Sequence, residues 1–224
     1  MIEQKGIVVI GSHTDIGKTV VACTLVRALR AAGIPVVPRK PVLSGVSDDG
    51  DALRHTDTAR LLDAAGLPFS RFAEVTPLVF RAPRAPDAAA RAEGRSLLLD
   101  DVVQACHLPA DPSTFVVLET AGGIMSPVAE DGLVVDLCVK IGLPVLLVVG
   151  TYLGGISHGL SAHVVAKNAG LDVRGVIVSR ASGDGDVEPF RRFLPGVPIL
   201  GLPSLTDGEA PPSAWLEHVL RLCR

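Results

Sequence analysis

The stretch GSHTDIGKT (residues 11–19) follows directly on the apolar run GIVVI and restricts this chain more than any other segment. It demands a short buried strand, a glycine-rich turn and a helix in immediate succession. Phosphate binding requires backbone N–H groups converging on one point, and glycines permit the close approach. It also requires a helix N-terminus, whose unpaired donors and dipole favour an anion. A lysine adds a point charge, and a Thr hydroxyl coordinates Mg2+. Gly11, Gly17, Lys18 and Thr19 supply these parts in order. One residue more separates the glycines than in the pattern G-x-x-x-x-G-K-[ST], which narrows the family without excluding phosphate. The alternative is an ordinary strand-to-helix turn with an incidental GKT; the strand before it and the helix after it weigh against that.

The rest of the chain repeats the rhythm. The runs 6–11, 115–119, 144–150 and 174–179 are short, apolar and not alternating, as strands covered on both faces require. Weaker strand candidates lie at 34–38 and 197–201. Helical patterns occupy 18–32, 57–65, 133–141 and 157–169, each stopped by a glycine (Gly33, Gly66, Gly142, Gly170). The expectation is an α/β fold: a doubly wound, mostly parallel sheet with helices on both faces, in a single domain over residues 1–224. Ligands of such folds bind at the carboxyl ends of the strands. The Pro-, Ala- and Arg-rich stretch 77–94 reads as a surface excursion leading into a helix near 97–105.

Composition removes several classes. The chain is 48% hydrophobic, 20% charged and carries a formal net charge of −3, with no basic block suited to nucleic acid. No apolar run approaches the roughly 20 residues of a membrane span, and no leader is evident, so the expectation is a cytoplasmic protein. Cys23, Cys106, Cys138 and Cys223 have no metal-ligand spacing and read as reduced thiols.

A phosphate loop that uses Mg2+ needs an acidic residue at the end of another strand. Glu119 ends FVVLE and is followed by TAGG. Lys40, in PRKPVLSG, is placed to steady charge on a transferring phosphoryl group, although spacing alone favours an exposed surface lysine. Asp48, Asp49 and Asp51 read as a solvated loop, and Asp57, after Thr56, as a helix start. His13, His55, His107, His158, His163 and His218 form no metal pattern; Ser157 and His158 read as a helix-capping neighbourhood. GISHG (residues 155–159) matches the serine-nucleophile elbow G-x-S-x-G, with Asp207 and His218 in hydrolase order. Residues 151–154 separate it from its strand, which favours a glycine-rich helix start capped by Ser157. The residues by themselves favour a Mg2+–nucleotide phosphoryl-transfer site and leave the acceptor unnamed.

Five segments together resemble the dethiobiotin synthetase family of P-loop enzymes: GSHTDIGKT, KPVLSG, TDTARLL, ETAGG and VVGTYLGGISHGLSA. The resemblance covers nearly the whole chain. It implies a cyclo-ligase of biotin biosynthesis, in which one amine of 7,8-diaminononanoate takes up CO2 as a carbamate. The carbamate attacks the γ-phosphate of ATP to give a carbamic–phosphoric anhydride, and the second amine closes the urea ring. It further implies catalytic roles for Lys18 and Lys40, and a Mg2+ site at Thr19, Asp57 and Glu119. Nucleotide contacts would come from Thr14, Asp15, Ile16, Gly17, Lys18, Thr19 and Val20 of the loop, and from Asp57. Glu119, Thr120, Ala121, Gly122, Ser179, Arg180, Leu202, Pro203 and Ser204 complete that implied set. Substrate contacts would come from Lys40, Ser44, Gly155, Ile156 and Ser157, across a homodimer interface.

The chain departs from the family pattern at Thr120, where glycine is usual and which would crowd the phosphate side, and at Ser157, where asparagine is usual. At Ser179 the family often has an asparagine that reads adenine. A serine hydroxyl cannot make two-point contact, so relaxed base selection, with CTP or GTP in place of ATP, is expected. Two other readings compete. One is a partitioning-type P-loop ATPase acting as a partner switch; such proteins carry a second lysine near the start of the loop, where this chain has Ser12 and His13. The other is a non-catalytic nucleotide-binding paralogue.

Overall fold

The computed structural model describes residues 5–47, 50–205 and 210–223. Asp48, Asp49 and Asp207 lie outside the described residues. Ten strands and ten α-helices are described, in the order β1 (Gly6–Gly11), α1 (Lys18–Ala31), β2 (Val36–Arg39), β3 (Val42–Ser44), α2 (Gly50–Leu53), α3 (Asp57–Ala65), α4 (Phe72–Val75), β4 (Leu78–Phe80), α5 (Pro86–Ala92), α6 (Leu99–Ala105), β5 (Phe115–Glu119), β6 (Pro127–Ala129), β7 (Gly132–Leu133), α7 (Val134–Ile141), β8 (Val145–Gly150), α8 (Gly155–Asn168), β9 (Val173–Ser179), α9 (Asp184–Phe193), β10 (Ile199–Leu202) and α10 (Ser213–Leu222).

The central sheet has six strands in the order β10-β9-β8-β1-β5-β2, and every pairing in it is parallel. Strands β1, β5 and β8 are buried throughout because helices cover both faces. Along β1 successive side chains point to opposite faces. Ile7 and Val9 pack with Leu25, Leu29, Leu61 and Leu62 on one side, while Val8 and Ile10 pack with Leu118, Leu137, Leu147 and Phe190 on the other. Pro38, which cannot donate to a ladder, lies on edge strand β2.

Local signals set most boundaries. Thr56 caps α3 by accepting from the Ala59 N–H at 3.4 Å, and Gly66 ends it at φ 64°. Gly142 ends α7 at φ 71°. Two expectations are corrected. The stretch 77–94 is not merely a surface excursion: β4 pairs in parallel with β3, and Phe80, Ala89 and Ala90 are buried in the core. Apolar spacing there is too short to show a period. The helix expected at 157–169 begins at Gly155, with Gly154 in the left-handed region as its N-cap; the exposed Ser157 does not cap it. All four cysteines are free, and burial pushes their thiols up to about 12. No described helix is long and apolar enough to cross a membrane.

Candidate active site

Parallel register brings distant residues to one edge of the sheet. Val9 of β1 is opposite Glu119, the last residue of β5, and Leu118 is opposite Arg39, the last residue of β2. The loop after β1, the carboxylate ending β5 and Lys40 just past β2 therefore meet at the carboxyl ends of three neighbouring strands.

The loop between β1 and α1 is held from outside itself. The Ser12 N–H donates to Val148 O (2.9 Å), and Gly11 O accepts from the Ile124 N–H (2.8 Å). Gly17 has φ 100°, and a Cβ there would lie 2.3 Å from Ser179 Oγ, so only glycine fits. Asp15 also takes the left-handed region, at φ 56°, a strained choice for a side-chain-bearing residue. Helix α1 opens without a side-chain cap and without an acidic residue in its first turn, leaving its N-terminal donors for an anion. Lys18 Nζ donates to His13 O at 3.1 Å. Burial lowers its pKa to about 8, against the opposing pull of Glu119.

Beneath the loop lies a charged cluster. Glu119, 1% exposed, accepts at Oε1 from Thr19 Oγ1 and from Lys40 Nζ, both at 2.7 Å. Lys40 Nζ also lies 3.1 Å from Asp57 Oδ2. Lys40 is only 4% exposed, which corrects the surface position that spacing suggests. Burial by itself would lower its pKa; Glu119 and then Asp57 outweigh it, and the net shift is upward. Asp57 shifts downward, since Lys40 outweighs the burial that would raise it. Glu119 Oε2 is buried with no hydrogen-bond partner among the described residues. A buried, unpartnered carboxylate oxygen beside a hydroxyl and a second carboxylate is a donor set suited to a hard divalent cation. No group of three or more His, Cys, Asp or Glu side chains forms a separate metal cage among the described residues.

A cavity of about 330 Å³ spans this cluster. Its walls include Thr14, Asp15, Gly17, Lys18, Thr19, Val20, Lys40 and Asp57. Glu119, Thr120, Gly122 and Arg180, also expected at the nucleotide, line it too, and Arg60 adds a residue sequence reasoning missed. Arg60 lies one turn beyond Asp57 on α3, a spacing that could have exposed it. A second cavity of about 370 Å³ takes in Ile16, Ser179, Gly150 and Tyr152, and shares Thr14, Asp15 and Arg180 with the first. Ala121, Leu202, Pro203 and Ser204 line neither cavity, and nor do Ser44, Gly155, Ile156 and Ser157.

The departures have physical outcomes. Thr120 is fully buried and its Oγ1 bonds back to Val9 O at 3.3 Å, so its hydroxyl is tied to β1. Ser44 Oγ donates to Arg84 O at 2.8 Å. The serine-elbow reading has no geometry behind it: Ser157 is the third residue of α8, and His218 Nδ1 donates to Ala214 O.

A glycine-led loop between the central strand and a helix, on a parallel six-stranded sheet, defines the P-loop NTPase class. Residues 5–211 match the AAA domain family. The chain is 44% identical over 218 residues to the ATP-dependent dethiobiotin synthetase BioD of Phenylobacterium zucineum, covering 92% of this chain and 90% of that one. It is 47% identical over 182 residues to the protein of that name from Methylobacterium nodulans, covering 78% and 80%. This chain belongs to the dethiobiotin synthetase family. A ParA family ATPase from Chlorobium tepidum TLS shares the fold, with a TM-score of 0.55 at 14% identity over 92% of this chain and 86% of that one.

Proposed function

We propose that this chain is an ATP-dependent cyclo-ligase that carboxylates 7,8-diaminononanoate with CO2 and closes it to dethiobiotin. The observation that carries this reading is the placement of two buried lysines, Lys18 and Lys40, with Thr19, Asp57 and Glu119 around one cavity. Helix N–H donors and Lys18 would hold the triphosphate. Lys40 would face the carbamate oxygen as it attacks the γ-phosphate, offsetting charge that grows in the transition state. Thr19, Asp57 and Glu119 would hold Mg2+, which when bound neutralises the β- and γ-phosphate oxygens. The N–H groups of Ile156 and Ser157 suit the carboxylate end of the diamine, while that of Gly155 is taken by Tyr152 O at 2.7 Å. A single domain carries these parts, and a cytoplasmic homodimer is the assembly we propose, with the diamine site completed at the interface. Formation of dethiobiotin from 7,8-diaminononanoate, bicarbonate, Mg2+ and nucleotide tests the reading, and no product refutes it. ATP hydrolysis stimulated by a protein or DNA partner and indifferent to the diamine would favour the partner-switch alternative. Nucleotide binding without product would favour the non-catalytic one.

Two results are expected at the nucleotide. Lys18→Ala should weaken Mg2+–nucleotide binding by about 10- to 100-fold, the worth of a hydrogen bond to a charged group; titration calorimetry checks it, and unaltered affinity would remove Lys18 from the phosphates. Base selection should be loose. Ser179 is 4% exposed and lies against Gly17, and it has no amide with which to read a base edge. Turnover with CTP, GTP and UTP should fall within about tenfold of that with ATP, since no side-chain amide at this position is left unpaired when the base changes. A strong ATP preference would contradict this.

A further inference from the structure

Three exposed rings link the phosphate loop to the start of α8. His13 of the loop stacks on His158 of α8 with centroids 6.4 Å apart and planes 18° from parallel. Tyr152, in the β8–α8 connection, meets His13 edge-on at 6.1 Å and lies 5.7 Å from His158. Tyr152 OH and His158 Nδ1 share a 2.7 Å hydrogen bond.

Each end of this cluster grips a binding element through its backbone. On the loop side, His13 O takes the Lys18 ammonium and His13 Nδ1 donates to Thr14 O at 2.7 Å. On the helix side, Tyr152 O accepts from the N–H of Gly155, the first residue of α8, at 2.7 Å. The floor is tight as well. A Cβ on Gly150 would lie 2.5 Å from Ile16 Cδ1 and 2.9 Å from Tyr152 Cδ1, so that glycine lets the loop and the connection close over β8.

We propose that His13, Tyr152 and His158 are positioning residues that clasp the phosphate loop to α8, so that nucleotide affinity and diamine affinity depend on each other. This rests on the functional reading above, in which the loop holds phosphate and the start of α8 meets the diamine's carboxylate across the homodimer interface, so that the clasp links the nucleotide of one protomer to the diamine of its partner. The rings are solvent-exposed, Tyr152 by 40%, and contribute little to the core, so their loss should leave the fold intact. Whatever fixes both elements in one arrangement links them reciprocally.

The test uses the full chain with Mg2+ and the non-hydrolysable nucleotide AMPPNP, with and without 7,8-diaminononanoate. His13→Ala and Tyr152→Ala should each weaken nucleotide binding about 3- to 10-fold, the worth of one or two aromatic pairs. Each should also shrink the factor by which the diamine tightens the nucleotide, with unfolding still cooperative and the melting temperature lowered by no more than about 2–6 °C, the worth of the lost ring contacts in a chain of this size. The double variant should bind no more weakly than the worse single one, because both changes open the same clasp. Tyr152→Phe, which keeps the ring, should recover most of the affinity. Variants that keep wild-type affinity and coupling while wild type makes dethiobiotin, or losses that simply multiply, would overturn the clasp. Failure of wild type to make dethiobiotin would instead overturn the functional reading, and nucleotide affinity in the variants would then judge the clasp alone.

Discussion

Glu119→Gln is expected to lower kcat/KM by about 100- to 1,000-fold, the usual effect of removing one electrostatic element from a phosphoryl-transfer site, and to raise the Mg2+ concentration needed for half-maximal rate. The amide can still accept from Thr19 and Lys40 through its oxygen, so the packing survives. The charge does not. Lys40, nearly without solvent, keeps only the half-buried Asp57 as its counter-charge. Breaking a buried ion pair costs about 3–5 kcal/mol, and the surviving Asp57 contact argues for the lower end, about 3 kcal/mol. Denaturant unfolding reads the stability loss, and a Mg2+ titration of turnover reads the metal effect. An unchanged Mg2+ requirement would reduce Glu119 to a structural counter-ion for Lys40.

Lys40→Ala is expected to act on kcat far more than on nucleotide affinity, reducing kcat by about 100- to 1,000-fold, because its ammonium faces charge that forms only during transfer. The same change should alter cation binding in the absence of nucleotide. In the free protein the Lys40 ammonium lies between Glu119 and Asp57, the two carboxylates a divalent cation would use. Like charges a few ångströms apart in a buried site oppose one another strongly. Removing the ammonium should therefore strengthen Mn2+ binding to the nucleotide-free protein, measurable by electron paramagnetic resonance. Near-normal kcat would take Lys40 out of the chemistry, and unchanged Mn2+ affinity would show that the ammonium does not compete for that position.

Residues whose role depends on near neighbours were the most legible. The loop at residues 11–19 reads directly because strand, glycines, lysine and helix are contiguous. The six strands of the main sheet and the glycine-ended helices α1, α3 and α7 stand within a few residues of their expected limits. The start of α8 was misplaced because a glycine cap at Gly154 carries no side-chain signal, whereas the serine beyond it imitates one. The strand at Leu78–Phe80 was missed because its partner, Val42–Ser44, is remote in sequence and both are too short for an alternation to show.

The five motif segments, taken as an ordered set, are enough to reach the family, because each preserves residue types at fixed local spacing. Whether Lys40 is a surface side chain or a buried one was decided only in three dimensions, where β2 runs beside β5 and sets it against Glu119. The meeting of His13 with Tyr152 and His158 is of the same kind, joining positions separated by more than half the chain. Spacing along a chain encodes turns, caps and periodicity, which are local. Burial, charge pairing and ring contact depend on strand order, and strand order is set by how the whole core packs.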